Sequence, residues 1–134
     1  MIPSTNTLLT TELTVNTQRS KNYKMHIEQT RISGSCDERE AMVQVVYKIL
    51  NTERFQHIIY SWNYGIEIQD LFGEPVDYVC PELQRRIEEA LLQDSRITAV
   101  DGFEFDTSTR RTVKANFTVH TIYGDIETEK VVNI

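Results

Sequence analysis

One stretch constrains the fold more than any other. Val113, Ala115, Phe117 and Val119 alternate with Lys114, Asn116, Thr118 and His120. A period of two sends successive side chains to opposite faces, which makes this segment a strand with one buried and one wet side. Such a strand needs neighbours and an apolar cover for its inner face. The neighbours are Ile97 to Phe105 before it and Ile126 to Val132 after it, with "FDTSTRR" and Gly124-Asp125 as turns. Glu127, Glu129 and Lys130 mark the last strand as a short, charged edge.

Two helical stripes supply the cover. Asp37 and Glu40 make a capping-box-like start, and Met42, Val45, Val46, Ile49 and Leu50 follow on one face. The second stripe is Leu83, Ile87, Ala90 and Leu91, with Arg85, Arg86, Glu88 and Glu89 outside and Pro81 in a first-turn position. Ile66 to Leu71 reads as a short helix ended by Gly73 and Pro75. Phe55 to Trp62 is β-branched and aromatic without a helical period, which predicts a mostly buried strand. Tyr23, Met25 and Ile27 form an earlier strand, broken by Ser33-Gly34-Ser35. The class is α+β: an antiparallel meander sheet packed by two main helices and one short helix. It fills a single domain, residues 21–134. Residues 1–20 carry Leu8, Leu9, Leu13 and Val15 without any period, and are expected to be an extended arm ordered by a partner.

Charge and motifs narrow the function. The net charge of -6 argues against nucleic acid, which needs a basic face. Residues 67–106 hold eleven acids against Arg85, Arg86 and Arg96, while Arg19, Lys21, Lys24 and Arg31 make the start basic. The acidic middle is either a solvated face or a partner for the basic start of a neighbouring subunit. Cys36 and Cys80 lack metal or redox spacing and read as free thiols in a reducing compartment. The start has no secretory pattern, and no apolar run reaches membrane-spanning length, so no membrane is expected. His26, His57 and His120 stand singly, which fits structural histidines and no metal or other cofactor. Glu53, Glu67 and Glu74 are the candidate acids for glycoside cleavage, but no acid motif supports them. Asp94 and Arg96 flank the helix-to-strand junction, where Arg96 can satisfy the last helix carbonyls, pair with Asp94 or reach a carboxylate on a neighbouring subunit.

Several stretches together resemble one family: "SKNYKMHIEQTRISG", "AMVQVVYKILNTERF", "IIYSWNYGIEIQDLFG", "ELQRRIEEALLQDSRITAVDGFEF" and "FTVHTIYGDIE". They are similar, in order and spacing over residues 19–134, to the baseplate protein of PBSX-type prophages. That protein stands near the GPW-like baseplate wedge, or sheath-initiator, group of contractile-tail phages. The resemblance implies an α+β structural protein of the baseplate in a virion or tail-like particle, assembled in the bacterial host cytoplasm. Its implied partners are the tail sheath protein, other wedge proteins and the tail tube, with six copies per baseplate. It implies sheath nucleation by strand pairing, for which Ile126, Glu127, Thr128, Glu129, Lys130, Val131 and Val132 are the available segment. Asp94, Ser95 and Arg96 match the family's Glu-Pro-Arg junction with Ser in place of Pro, which leaves the turn less rigid. Asp94 and Arg96, with Trp62 and Tyr64, are the expected wedge or core contacts. The family also carries a lysozyme-like label, whose implication, a tail-associated peptidoglycan-cleaving enzyme, is the alternative.

Overall fold

The computed structural model describes residues 19–134, and the expected arm lies outside the described residues except for Arg19 and Ser20. In chain order the elements are β1 (Asn22–His26), β2 (Arg31–Cys36), α1 (Glu38–Leu50), α2 (Val76–Leu92), β3 (Ile97–Asp106), β4 (Thr112–Thr121) and β5 (Gly124–Asn133). The described residues are α+β, with two antiparallel sheets and two α-helices. One sheet is the β1–β2 hairpin and the other has the order β3-β4-β5.

The alternation in β4 decides the core. Val113, Ala115, Phe117 and Val119 are all buried and meet Met42, Val46, Ile49 and Leu50 of α1 and Leu83, Ile87, Ala90 and Leu91 of α2 in one apolar cluster. Each Val, Leu, Ile, Met or Phe among them contributes about 1.5–3 kcal/mol by leaving water. Phe103 adds a ring stacked at 5.2 Å on Phe117.

Capping explains where α1 starts and stops. The Asp37 carboxylate accepts from the Glu38 N–H at 2.7 Å, while Glu40, instead of closing a capping box, pairs with Lys24 of β1 at 2.6 Å. At the far end the Asn51 side chain and the Thr52 hydroxyl donate to the Tyr47 and Lys48 carbonyls. Gln44 has a role that no periodicity reveals. Its buried amide accepts from the Met25 N–H and donates to the Tyr23 carbonyl, both at 2.8 Å, and so holds the β1–β2 hairpin against α1.

Four expectations are corrected. Ser33, Gly34 and Ser35 lie inside β2, and the reversal before it is a single 3-10 turn, Ile27–Gln29, closed by Thr30 in the left-handed region. The helix expected over 66–71 is only a 3-10 turn, Gln69–Leu71. Helix α2 begins at Val76, with Pro81 inside it. Pro81 is the sixth residue of the helix, so its missing N–H forfeits one intrahelical bond, to the Asp77 carbonyl, while the added first turn buries Val79 completely.

The largest correction concerns Phe55 to Trp62. This segment is no strand: it is a loop of successive turns in which Gln56, Tyr60 and Tyr64 donate to the Glu53, His57 and Ser61 carbonyls. Phe55 has φ +70, which ends any extended run before it can pair. His57, expected in an apolar strand, is exposed with the rest of the loop.

Candidate assembly interface

The described residues offer two features that a closed domain would not keep: an open strand edge and an uncovered apolar loop. The edge belongs to β5. It pairs with β4 over ten consecutive positions, from Thr121↔Gly124 to Thr112↔Asn133, without a break. The β3 ladder, on the other side of β4, breaks its register between Ile97 and Ala99 and again between Asp101 and Glu104. Such irregularities blunt an edge against further pairing, and β5 has none.

The register also says which groups β5 presents. The turn is the two residues Ile122 and Tyr123, so Thr121 and Gly124 form the closing, hydrogen-bonded pair. Counting from there, Ile126, Thr128, Lys130 and Val132 spend their N–H and C=O groups on β4. Glu127, Glu129 and Val131 turn theirs to the free edge. The turn sits two residues earlier than the expected Gly124-Asp125, and β5 is longer at both ends than expected.

The same parity sorts the side chains. Ile126 and Val132 are core, and Lys130 shares their face. It is half-buried against the end of α1, reaches the Asn51 side-chain oxygen at 3.5 Å, and loses basicity through burial, partly offset by the Glu53 charge. Lys130 is therefore not an outward guard of the edge, as the sequence suggested. Glu127 and Glu129 are, and Glu129 pairs with Lys114 at 2.9 Å. With Asp101, Glu104, Asp106 and Asp125 they make the outer face of the sheet acidic. His120 sits at one end of that face. Its ring nitrogens lie 2.7 Å from the Asp125 carboxylate of β5 and 2.8 Å from that of Asp101 of β3. Bonds from Asp125 and Asp101 raise its pKa above the ordinary histidine value.

The loop is pinched at its root. The Thr52 carbonyl accepts from the Ile66 N–H at 3.0 Å, and the Arg54 N–H donates back to the Ile66 carbonyl at 3.1 Å. The Arg54 guanidinium donates twice to the Gly65 carbonyl and once to Glu89. Only glycine fits at 65, because a Cβ there would lie 2.5 Å from the Thr52 carbonyl oxygen at φ +91. The Glu53 carboxylate accepts from the Ile68 and Gln69 N–H groups and thereby caps the next turn. Glu53 and Arg54 thus both bind within the chain, the one as a cap and the other as the clamp of the loop root.

The four expected contact residues separate. Trp62 is exposed, whereas Tyr64 is half-buried and stacks on Tyr60 at 4.6 Å. Asp94 and Arg96 satisfy each other within the chain. The carboxylate accepts from the Arg96 N–H and Nε at 3.0 Å and from Nη2 at 2.7 Å. Burial pushes the Asp94 carboxyl up, but the bonds and charge of Arg96 outweigh it and hold the carboxyl below its usual range. The Arg96 guanidinium is raised by the same bonds against its own desolvation, and only 4% of the residue is exposed. Both cysteines are free, and burial raises each thiol's pKa. Among the described residues no cluster of His, Cys, Asp or Glu could hold a metal ion, and no helix is long and apolar enough to cross a membrane.

An unbroken open edge, a displayed apolar loop and a rigid ion-paired junction define a structural assembly domain. Comparison with known proteins gives the particular family. Residues 8–124 match the family described as contractile injection system sheath initiator, and the chain belongs to that family. It is also 40% identical over 119 residues to the phage-like element PBSX protein XkdS of Bacillus subtilis (strain 168), across 86% of this chain and 84% of that protein. The resemblance read from the sequence, to a PBSX-type baseplate protein of the sheath-initiator group, is borne out. The role is a structural one, in the baseplate of a phage tail or tail-like particle and in starting its sheath.

Proposed function

We propose that this chain starts the sheath by lending the open edge of β5 to a strand of the tail sheath protein. The observation that carries the reading is the unbroken ten-residue β4–β5 ladder, whose far side has no partner among the described residues. Backbone bonds at Glu127, Glu129 and Val131 would supply affinity. The Glu127 and Glu129 side chains would favour basic residues on the incoming strand, since opposite charges across strands attract. Trp62 and Tyr64 would face the wedge proteins and tube on the baseplate side, with the Asp94–Arg96 pair fixing the junction beside them. The assembly itself would impose six copies, and it would form in the host cytoplasm.

We read the chain as non-enzymatic. The Glu53 carboxylate is engaged by two backbone N–H groups, and Glu67 lies 3.9 Å from the Arg54 guanidinium. Purified protein is expected to leave no clearing on a peptidoglycan zymogram. The sheath reading is tested by particles made without this chain. Baseplates carrying bare tubes are the expected product, and tails with full-length sheath would overturn it.

A further inference from the structure

Among the described residues, the Phe55–Trp62 loop carries four of the most exposed large apolar side chains. Phe55 is 67% exposed, Ile58 102%, Ile59 86% and Trp62 79%. At about 150–250 Å² for each aromatic side chain and somewhat less for each isoleucine, the patch is on the order of 600 Å². One partner in a standard protein interface contributes roughly 800 Å², so a surface of this size would supply most of one side of such an interface.

The display is built and not accidental. The hydrogen bonds of Thr52, Arg54, Gly65 and Ile66 clamp the root. Asn63 binds Gln93 at the end of α2, and the Tyr60–Tyr64 stack stiffens the returning limb. Phe55 takes a left-handed backbone that is costly for a bulky residue, and its ring remains in solvent.

Charge selects the occupant. From Phe55 to Ile66 there is no acid, lysine or arginine. Arg54, Arg85 and Arg86 are taken up by Glu67, Asp70, Glu82 and Glu89, and residues 67–89 add Glu74, Asp77 and Glu88, which leaves the segment after the loop net acidic. An anionic lipid surface would repel that neighbourhood. A second copy has little to offer the loop. The hollows beside the sheet and under Arg54 are lined by Glu104, Glu127 and Glu129 and by Glu67, Arg85 and Arg86 respectively, and the one between α1 and the end of α2 is bounded by the loop's own Tyr60 and Tyr64 and by Lys48, Asp94 and Arg96.

We propose that the Phe55–Trp62 loop is an anchoring finger that seats in an uncharged apolar pocket on a different protein of the baseplate. The inference rests on the baseplate-side contact proposed above and names its chemistry. It also gives the chain two separate contacts, the finger for the baseplate and the β5 edge for the sheath.

A photoreactive benzoylphenylalanine at Ile59, in particles assembled in cells, reads the neighbour directly. The expected adduct joins this chain to one baseplate protein that is neither sheath nor a second copy. Adducts to sheath, to lipid or to another copy, or none from particles that contain the chain, would overturn the proposal. In parallel, Ile58→Ser with Ile59→Ser should shift the melting temperature of the purified chain by no more than about 2 °C, because both side chains are already in water. The same variant should reduce the chain on purified baseplates at least about tenfold. Undiminished retention there would also overturn it. A defect confined to β5 has a different signature, with the chain retained, the Ile59 adduct unchanged and the sheath missing.

Discussion

Replacing Arg96 by Met keeps most of the buried stem and removes the charge, which leaves the Asp94 carboxylate with a single N–H donor, that of residue 96. The side chains concerned are 5% and 11% exposed, so water cannot replace what is lost. Breaking a buried pair from one side costs about 3–5 kcal/mol, and the surviving backbone bond argues for the lower end, about 3 kcal/mol. For a chain of this size that corresponds to a fall in melting temperature of roughly 10–15 °C. Circular dichroism at pH 7 measures it, with a urea series to check that the slope is unchanged. Asp94→Asn in the Arg96→Met background should recover part of the loss, because the stranded charge is gone. The pH dependence has a definite sign. The folded Asp94 pKa is depressed, so its contribution is complete above the unfolded carboxyl value of about 4 and fades as pH falls through the lower folded value. The gap between wild type and Arg96→Met should therefore narrow below about pH 4. A loss under about 1 kcal/mol, or a double variant equal to the sum of the singles, would refute the buried-pair reasoning.

Other perturbations follow the same logic. His120 has a raised pKa from bonds to Asp125 and Asp101. Its stabilising effect is therefore complete below the unfolded value of about 6.5 and lost as pH rises through the folded one. The difference in melting temperature between wild type and His120→Gln should be larger at pH 6 than at pH 9. A proton NMR titration should give a midpoint above about 6.5, and a lower midpoint would contradict the two-carboxylate clamp. Gly65→Ala forces a Cβ onto the Thr52 carbonyl and should cost about 3 kcal/mol or more by urea unfolding, whereas Gly73→Ala, with open space around it, should cost less.

Where the sequence carried a period, it specified the structure. Val113, Ala115, Phe117 and Val119 could face only inward, and the stripes of α1 and α2 could only cover them. The pairing of Asp94 with Arg96 was legible as one of three options, because a carboxylate two residues before an arginine reaches both its N–H and its guanidinium. Phe55 to Trp62 misled for a physical reason. Apolar content says what would gain from burial, but in this segment the described residues leave the apolar side chains uncovered. The left-handed Phe55, which turns the run into a loop, leaves no mark in composition. The face of Lys130 was legible: it is even-spaced from Ile126 and Val132 and must point with them. Gln44 was not, since its value lies in two backbone groups of β1 that only the folded chain brings near.

The most direct test of the central claim acts on the β5 edge without touching the core. Proline at 127 removes an N–H that points away from β4, so the isolated domain should keep its fold, while an added strand loses its bonding at that position. Electron microscopy of particles carrying Glu127→Pro should find baseplates that retain the chain but bear tubes without extended sheath. Sheathed tails in wild-type numbers, on baseplates containing the folded variant, would contradict the account.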